Sequence, residues 1–262
     1  MTRPSRMMIA LACASAVLSG CAKDDQQAEL RPLSLQEHAY SVTKTDGGYA
    51  VNWAGLLVNR NRWHFGEHAV AVVTGVDAAG KEVIRVEQPL DAVPPGREIA
   101  FSGQAPARGK PVRVTIECRE VSWREVPRIP SAFLRFPVSD VVTERLPDGS
   151  HLVTGYVGHP FRKPGNVVVT ALLRDASGRL IGGGTAHVDG MRHDRKRRFV
   201  ITVEGVTGKV AKTDVFAGTW GTTAKPYLDL VAGGAAPVHT VTPTTKPFAK
   251  DRGYRVGNEQ RP

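Results

Sequence analysis

The chain has 262 residues, of which 41% are hydrophobic and 23% are charged, and its formal net charge is +10. This composition is ordinary for a soluble globular protein, and it excludes both a wholly disordered chain and a polytopic membrane protein. The length fits one large domain or two small ones. A basic balance first suggests nucleic acid as a partner, so the cellular address of the protein decides what the charge means.

The first 21 residues predict export. Two arginines precede an apolar run over residues 7–18, which is shorter than the ~20 residues of a transmembrane helix and typical of a signal peptide. The segment Leu18-Ser19-Gly20-Cys21 follows directly and resembles the lipobox of bacterial lipoproteins. The alternative is an ordinary secretory peptide with a chance Cys at its cleavage site. The lipobox pattern is favoured because position, order and spacing all fit.

The resemblance implies a diacylglyceryl group on Cys21, which becomes the first mature residue and carries the only cofactor-like group expected, a covalent lipid. Two acyl chains anchor stably because each buried CH₂ contributes ~0.8 kcal/mol. We therefore expect a lipid-anchored protein on the extracytoplasmic face of the cell membrane. Signal removal lowers the side-chain charge from +10 to +8. Export argues against nucleic acid and favours membrane, anionic lipid, acidic wall polymer or an envelope protein as partners.

Cysteine usage agrees with this address. The chain has three cysteines, of which Cys13 leaves with the signal and Cys21 is acylated. Cys118 is left without a partner, so an intramolecular disulfide is not possible and stability must come from a packed core. It follows Val114 and Ile116 on one face of a predicted strand, which favours a small buried hydrophobe over a reactive thiol.

From residue 36 to about 220 the chain is a series of short Val-, Ile-, Leu- and Thr-rich runs separated by Gly, Pro, Asp and Asn, which predicts an all-β protein. The series repeats at an offset of 98 positions, and such duplication predicts two copies of one unit. The anchors of the repeat are Asp77 and Asp175 of two D-x-x-G turns, Asp91 and Asp189, Phe101 and Phe199, and, at an offset of 97, Trp123 and Trp220.

Each unit is expected to form an immunoglobulin-like antiparallel β-sandwich of about six strands. The predicted organisation is a signal peptide (1–20), a lipidated tether (21–35), a first sandwich (36–126), a linker (127–132), a second sandwich (133–222) and a flexible tail (223–262). Gly, Pro and Thr dominate the tail, and its one apolar stretch, residues 226–231, is a candidate for docking on the second unit.

A run that ends in Asp77 before x-x-Gly, followed by an extended strand, Pro95-Gly96 and Phe101, resembles the FxLYD domain of bacterial envelope lipoproteins. Phe199 matches the pattern in the second unit, whereas the eponymous Phe and Tyr are missing from both runs. The resemblance spans about residues 38–220. It implies tandem immunoglobulin-like sandwiches and no catalytic residues.

The segment from His64 to His68 matches the inverted zincin motif H-x-x-E-H, in which two His on one helical face bind Zn²⁺ and a Glu, here Glu67, serves as base. The chemistry requires a helix. Gly66 interrupts the motif and a β-like run follows it at once, so we expect a loop between strands and no metal site here.

A second candidate metal site contains His187 and His193 with Asp189 and Asp194, which are plausible zinc ligands in type. Only the aspartate at position 189 has a counterpart in the first unit. We therefore interpret this segment as a polar loop at the end of a strand.

The densest charge cluster is the basic segment Arg192–Arg198, with Arg192, Arg195, Lys196, Arg197 and Arg198 as its cations. One interpretation is a solvated strand edge that discourages pairing. The other is contact with anionic lipid head groups or wall polymer, where each cation contributes ~1 kcal/mol. The four tryptophans, Trp53, Trp63, Trp123 and Trp220, are expected in the cores.

The described motifs yield no coherent catalytic constellation, and neither a nucleophile elbow nor a Walker loop is present. The sequence therefore predicts a non-catalytic, membrane-anchored binding or scaffolding module of the cell envelope. Two alternatives stay open: a metal-dependent envelope hydrolase, and an accessory subunit of an envelope transporter or wall-building complex.

Overall fold

A computed structural model describes residues 30–119, 121–126 and 132–236. In these ranges the chain is built almost entirely of antiparallel strands, as the sequence predicts. The strands are β1 (Ser34–Thr45), β2 (Gly48–Val58), β3 (His64–Glu67), β4 (Val70–Val76), β5 (Glu82–Pro89), β6 (Glu98–Ala107), β7 (Arg113–Cys118), β8 (Ser122–Glu125), β9 (Val138–Arg145), β10 (His151–Val157), β11 (Gly165–Arg174), β12 (Leu180–Met191), β13 (Arg197–Val203) and β14 (Lys212–Thr219), and the helix is α1 (Lys225–Ala232).

The strands form two sandwiches with the same topology. In the first, sheet β1-β2-β6 packs on sheet β5-β4-β7, and β3 pairs with β8. In the second, sheet β9-β10-β13 packs on sheet β12-β11-β14. The first three-stranded sheet of each sandwich thus corresponds to strands A, B and E of an immunoglobulin-like domain, and the second to C′, C and F. The expected fold class is confirmed.

The sequence repeat is visible in the turns and in the cores. Asp77 and Asp175 each accept a hydrogen bond from the backbone of Gly80 and Gly178, at 3.0 Å in both cases. These glycines have φ of 81° and 83°, a left-handed conformation that favours glycine. Phe101 and Phe199 are both buried in their cores. The duplication predicted from the 98-residue offset is therefore a duplication of structure.

The two sandwiches stack as a single compact body of four sheet layers. Sheet β1-β2-β6 turns its outer side to sheet β12-β11-β14, and an apolar cluster forms between them from Ala54, Leu56, Leu172 and Leu180. The strands approach closely where Gly183 faces β2, because a Cβ at that position would lie 2.8 Å from the Cβ of Ala54. Strands β2 and β11 are consequently buried on both faces.

Polar contacts also join the two sandwiches beside the apolar cluster. The guanidinium of Arg174, on β11, donates to the carboxylate of Glu37 in the first sandwich and, over 2.6 Å, to Asp214 on β14. These hydrogen bonds raise the pKa of Arg174. The hydroxyls of Ser102 and Thr185 are 2.8 Å apart across the interface. The stacking therefore combines a small apolar centre with a partly buried charge-assisted network.

Helix α1 corrects the expectation of a flexible tail from residue 223. Its Tyr227, Leu230 and Val231 are buried in the core of the second sandwich, together with Phe65 of the first. The apolar stretch at 226–231 therefore docks on the second sandwich, as the sequence suggested, although the composition of the tail did not predict that it forms a helix. Residues 237–262, the rest of the predicted tail, lie outside the described residues.

The tryptophan prediction is correct only in part. Trp53 is buried, and its Nε1 donates to Gln88 Oε1 over 2.7 Å. Trp63 and Trp220 are 39% and 56% exposed, so for them the prediction is wrong. Each lies just outside a strand, Trp63 before β3 and Trp220 after β14, and Trp220 contacts the His187 ring. Trp123, on β8, is half-buried.

Cys118 is half-buried against the core of the first sandwich. Burial raises the pKa of its thiol. This is the environment of the small hydrophobe that the sequence predicts, since a reactive cysteine needs a lowered pKa.

The signal peptide, Cys21 and residues 127–131 of the predicted linker lie outside the described residues, so these expectations stay predictions. No helix in the described ranges is long and apolar enough to cross a membrane.

Candidate binding surfaces

The H-x-x-E-H segment is not helical, as expected, but the expected loop is wrong, because residues 64–67 form strand β3 and pair with β8. His64 is half-buried and His68 is exposed with a left-handed backbone at φ 59°, so the two rings do not share a helical face. Glu67 is buried, and its Oε1 accepts hydrogen bonds from Arg124 Nε and from the backbone N–H of Ala224, both over 2.7 Å. The carboxylate thus joins β3 to Arg124 of β8 and to the backbone at the start of α1.

The second histidine pair is also separated. His187 lies within β12, which continues to Met191, so the polar loop begins later than expected. Its ring contacts Trp220 with centroids 4.9 Å apart. His193 is exposed in the turn that follows. Among residues 30–119, 121–126 and 132–236, no group of three or more His, Cys, Asp or Glu side chains is placed to hold a metal ion.

The basic segment Arg192–Arg198 is exposed along its whole length. It forms the turn between β12 and β13 and the first residues of β13, which is an edge strand. Within the described chain its single ion pair joins Arg195 to Asp194, at 3.9 Å. Lys196 Nζ donates to Ser139 Oγ over 3.1 Å. The segment therefore presents a largely uncompensated positive charge at one end of the outermost sheet.

Beside this charge lies an apolar patch on the outward side of sheet β9-β10-β13, here named the outer face. Its centre consists of Val142, Tyr156 and Val200, which are 59%, 42% and 51% exposed. Arg198 pairs with Tyr156 in the register and joins the patch to the basic segment. Exposed aliphatic and aromatic side chains grouped on one face indicate an interaction surface more often than isolated ones do.

The internal duplication allows the outer face to be compared with the equivalent sheet face of the first sandwich. In the register of the sheets, Val142 and Tyr156 are the counterparts of Ala39 and Leu56 in the first sandwich, and Val200 is the counterpart of Ser102. These three residues of the first sandwich all contact the second one. The outer face is thus the repeat-equivalent of the face through which the first sandwich docks.

The surface at the opposite end of the stack is charged. The outward side of sheet β5-β4-β7 carries Arg85, Glu87 and Glu117. Arg85 and Arg119 both pair with Glu87. By register, Arg85 occupies the position of Gly183 and Glu117 that of Phe216, both at the inter-sandwich interface. The first sandwich therefore ends in a solvated surface and the second in an apolar one.

A small cleft lies between the sandwiches, with a volume of about 160 Å³. Asp91, Arg97, Arg135 and Tyr227 are among the residues that line it. Asp91 Oδ1 accepts from the Gly221 N–H over 2.7 Å, and burial raises the pKa of this carboxyl. Burial raises the pKa of Tyr227 to about 12. Charges of both signs meet in this cleft, so its electrostatics favour no single class of ligand.

Sequence reasoning found the basic segment but missed the three apolar residues of the outer face and the buried His151. The signal that locates them is the repeat itself. When the two units are compared position by position, these residues stand out, because their counterparts in the first sandwich differ from them in burial or polarity.

No family model and no curated protein matches this chain. Nine solved chains are similar to it. One is a glycosyl hydrolase family 2 member from Bacteroides cellulosilyticus, with a TM-score of 0.21 and 9% sequence identity over 65% of this chain and 28% of that chain. The present chain therefore spans less than a third of that protein, and at this TM-score the likeness assigns neither activity nor substrate.

Proposed function

We propose that the protein is a non-catalytic binding or scaffolding module of the cell envelope, anchored to the membrane by a lipid on Cys21. The observation that carries the scaffolding role is the outer face, whose repeat-equivalent docks one sandwich on the other. The lipobox-like segment supports the anchor.

The chemistry of the outer face supports a protein partner. Val142, Tyr156 and Val200 offer a flat apolar centre, and the basic segment borders it on one side. Because the equivalent face in the first sandwich is covered by a sheet, the favoured occupant is a sheet of another envelope protein, apolar at its centre and acidic where it meets Arg198. This protein partner is consistent with an accessory role in an envelope complex. Anionic lipid or wall polymer is the competing occupant.

The lipid anchor predicts the behaviour of a Cys21→Ala variant. Without the sulfur the diacylglyceryl group has no attachment site, so the variant is expected to remain an unlabelled precursor or to leave the membrane fraction. Metabolic labelling with a radioactive fatty acid and fractionation of the membranes check this. Cys118→Ala is the matched control and should label as the wild type does. Equal labelling of the Cys21→Ala variant would disprove the anchor.

The docking role predicts site-specific crosslinking in living cells. A photo-reactive amino acid in place of Tyr156 is expected to give one discrete protein adduct, whereas the same group in place of Arg85, on the charged end of the stack, is expected to give none. Adding Val142→Glu should lower the yield roughly tenfold, because a charge at the centre of an apolar interface costs more than ~1.4 kcal/mol.

The crosslinked peptide is identified by mass spectrometry and is expected to come from an acidic β-strand segment. A discrete adduct that disappears with Val142→Glu supports the protein partner. Adducts with lipid or glycan alone, or equal adducts from positions 156 and 85, would overturn it.

A further inference from the structure

A groove of about 770 Å³ lies on the flank of the second sandwich, where the end of β9 comes close to the start of β14. The hydroxyls of Thr143 and Thr213 join the two strands at 2.7 Å. The ionisable side chains that line the groove are Arg145, His151, Lys209 and Lys212, and none of the lining residues is acidic. The groove is at the opposite end of the sheet from the basic segment, since His151 pairs with Val203 and Val157 with Arg197.

His151 is one of two buried histidines in the described chain with an unpartnered ring nitrogen, and it is the one that lines the groove. It is 5% exposed, and its Nδ1 has no hydrogen-bond partner among the described residues. Burial and the neighbouring Arg145 guanidinium lower its pKa, which favours the neutral ring. A buried ring nitrogen without a partner destabilises a fold, so its presence in a sheet calls for a compensating role.

The first sandwich shows that the fold does not need these polar groups. By register, His151, Arg145 and Thr213 are the counterparts of Val51, Val42 and Val114. The three valines belong to or pack against the core of the first sandwich. The same architecture is therefore built with aliphatic residues in one copy and with an Arg, a His and a Thr in the other, where the groove opens.

The nearby cations are only partly compensated. Lys212 Nζ pairs with Asp214 at 2.7 Å. Arg145 and Lys209 have no ion pair within the described part of the chain. A guanidinium matches the geometry of a phosphate or carboxylate through two parallel N–H donors, and a lysine adds a point charge. Several cations around one concave surface favour a phosphate group, because its oxygens are strong acceptors that can take hydrogen bonds from more than one donor.

We propose that this groove is a binding site for a phosphate group presented by a larger molecule, with Arg145, Lys209 and His151 as its ligands. The volume exceeds what a free phosphate ion fills, so the remainder of the groove accommodates the group that bears the phosphate. The phosphate source is either a lipid head group or a soluble or polymeric phosphate ester. This inference is independent of the outer face and of its partner.

The test uses the protein produced with Cys21→Ala and follows its histidine ring resonances by NMR at constant pH. Inorganic phosphate and glycerol phosphate are expected to shift the resonances of His151 and to leave those of the exposed His38 unchanged. Arg145→Val is expected to weaken binding at least about tenfold. The variant should fold, because valine stands at the equivalent position of the first sandwich.

Arg195→Val is the matched control, since it removes the same charge from the basic segment and should leave the His151 shift intact. Vesicles of phosphatidylcholine, with and without phosphatidylglycerol, separate the two sources. Binding to phosphatidylglycerol that depends on Arg145 assigns a lipid head group, and a response to soluble phosphate alone assigns a soluble ester. No shift of His151, or equal losses in the Arg145→Val and Arg195→Val variants, would overturn the site.

Discussion

Leu172→Ala is expected to lower the free energy of unfolding by about 3 kcal/mol, within the range for leucines in a core. Leu172 is fully buried at the centre of the inter-sandwich interface, where it packs with Ala54, Leu56 and Leu180. Its truncation removes apolar contact and leaves a cavity that two sheets held by their own cores cannot close.

Urea denaturation followed by tryptophan fluorescence and by circular dichroism measures the effect. The buried Trp53 reports on the first core, whereas Trp63 and Trp220 are already exposed in the folded state, and circular dichroism reports on both sandwiches. Because the four layers share this interface, the wild type is expected to unfold in one transition seen equally by both signals, and the variant at lower urea. Val200→Ala, at a 51% exposed position, should change stability by less than ~0.5 kcal/mol. Equal effects of the two substitutions would contradict the role of the interface.

Glu67→Ala is expected to destabilise the protein by about 2–3 kcal/mol. The buried carboxylate accepts hydrogen bonds from Arg124 and from the Ala224 N–H, so its removal leaves a buried backbone donor without a partner. The start of helix α1 then loses its connection to the first sandwich. The loss is smaller than for a fully buried ion pair, because the Arg124 side chain is 54% exposed.

Glu67→Gln keeps an acceptor oxygen and is expected to lose less than half of this stability. Thermal unfolding of both variants, with Glu87→Ala on the exposed charged end as a control, gives the comparison. If Glu67 holds the start of helix α1 on the first sandwich, the Ala variant loses the most stability, the Gln variant less and the control the least. Wild-type stability of the Ala variant would contradict this role of Glu67.

The strands could be predicted from the sequence because of their residue pattern. Alternation of apolar and polar residues has the period of a strand, and D-x-x-G turns mark where strands reverse. Strand β13, for example, buries Phe199 and Ile201 and exposes Arg198 and Val200, as its sequence pattern indicates. The cross-unit offset of 98 residues then predicted that both halves share one topology.

Neither helix α1 nor the structural role of Glu67 could be predicted in the same way. An eight-residue segment that begins at Lys225-Pro226 carries little helical periodicity, and it folds because Phe65, Phe133 and Phe136 surround Tyr227. Glu67 belongs to a motif that suggests zinc chemistry, and only its position opposite Arg124 and Ala224 identifies a structural role.

Of the two candidate surfaces, the basic segment could be predicted from the sequence and the outer face could not. Basic residues cluster in the sequence, so the basic segment was found without a structure, whereas Val142, Tyr156 and Val200 are far apart along the chain and meet only when three strands pair. The sequence by itself determined the β class, the duplication and the lipobox-like start, because each depends on local pattern or spacing. Only the tertiary structure decided which sheet faces are covered, since burial of a flat face depends on what packs against it and not on its own residues.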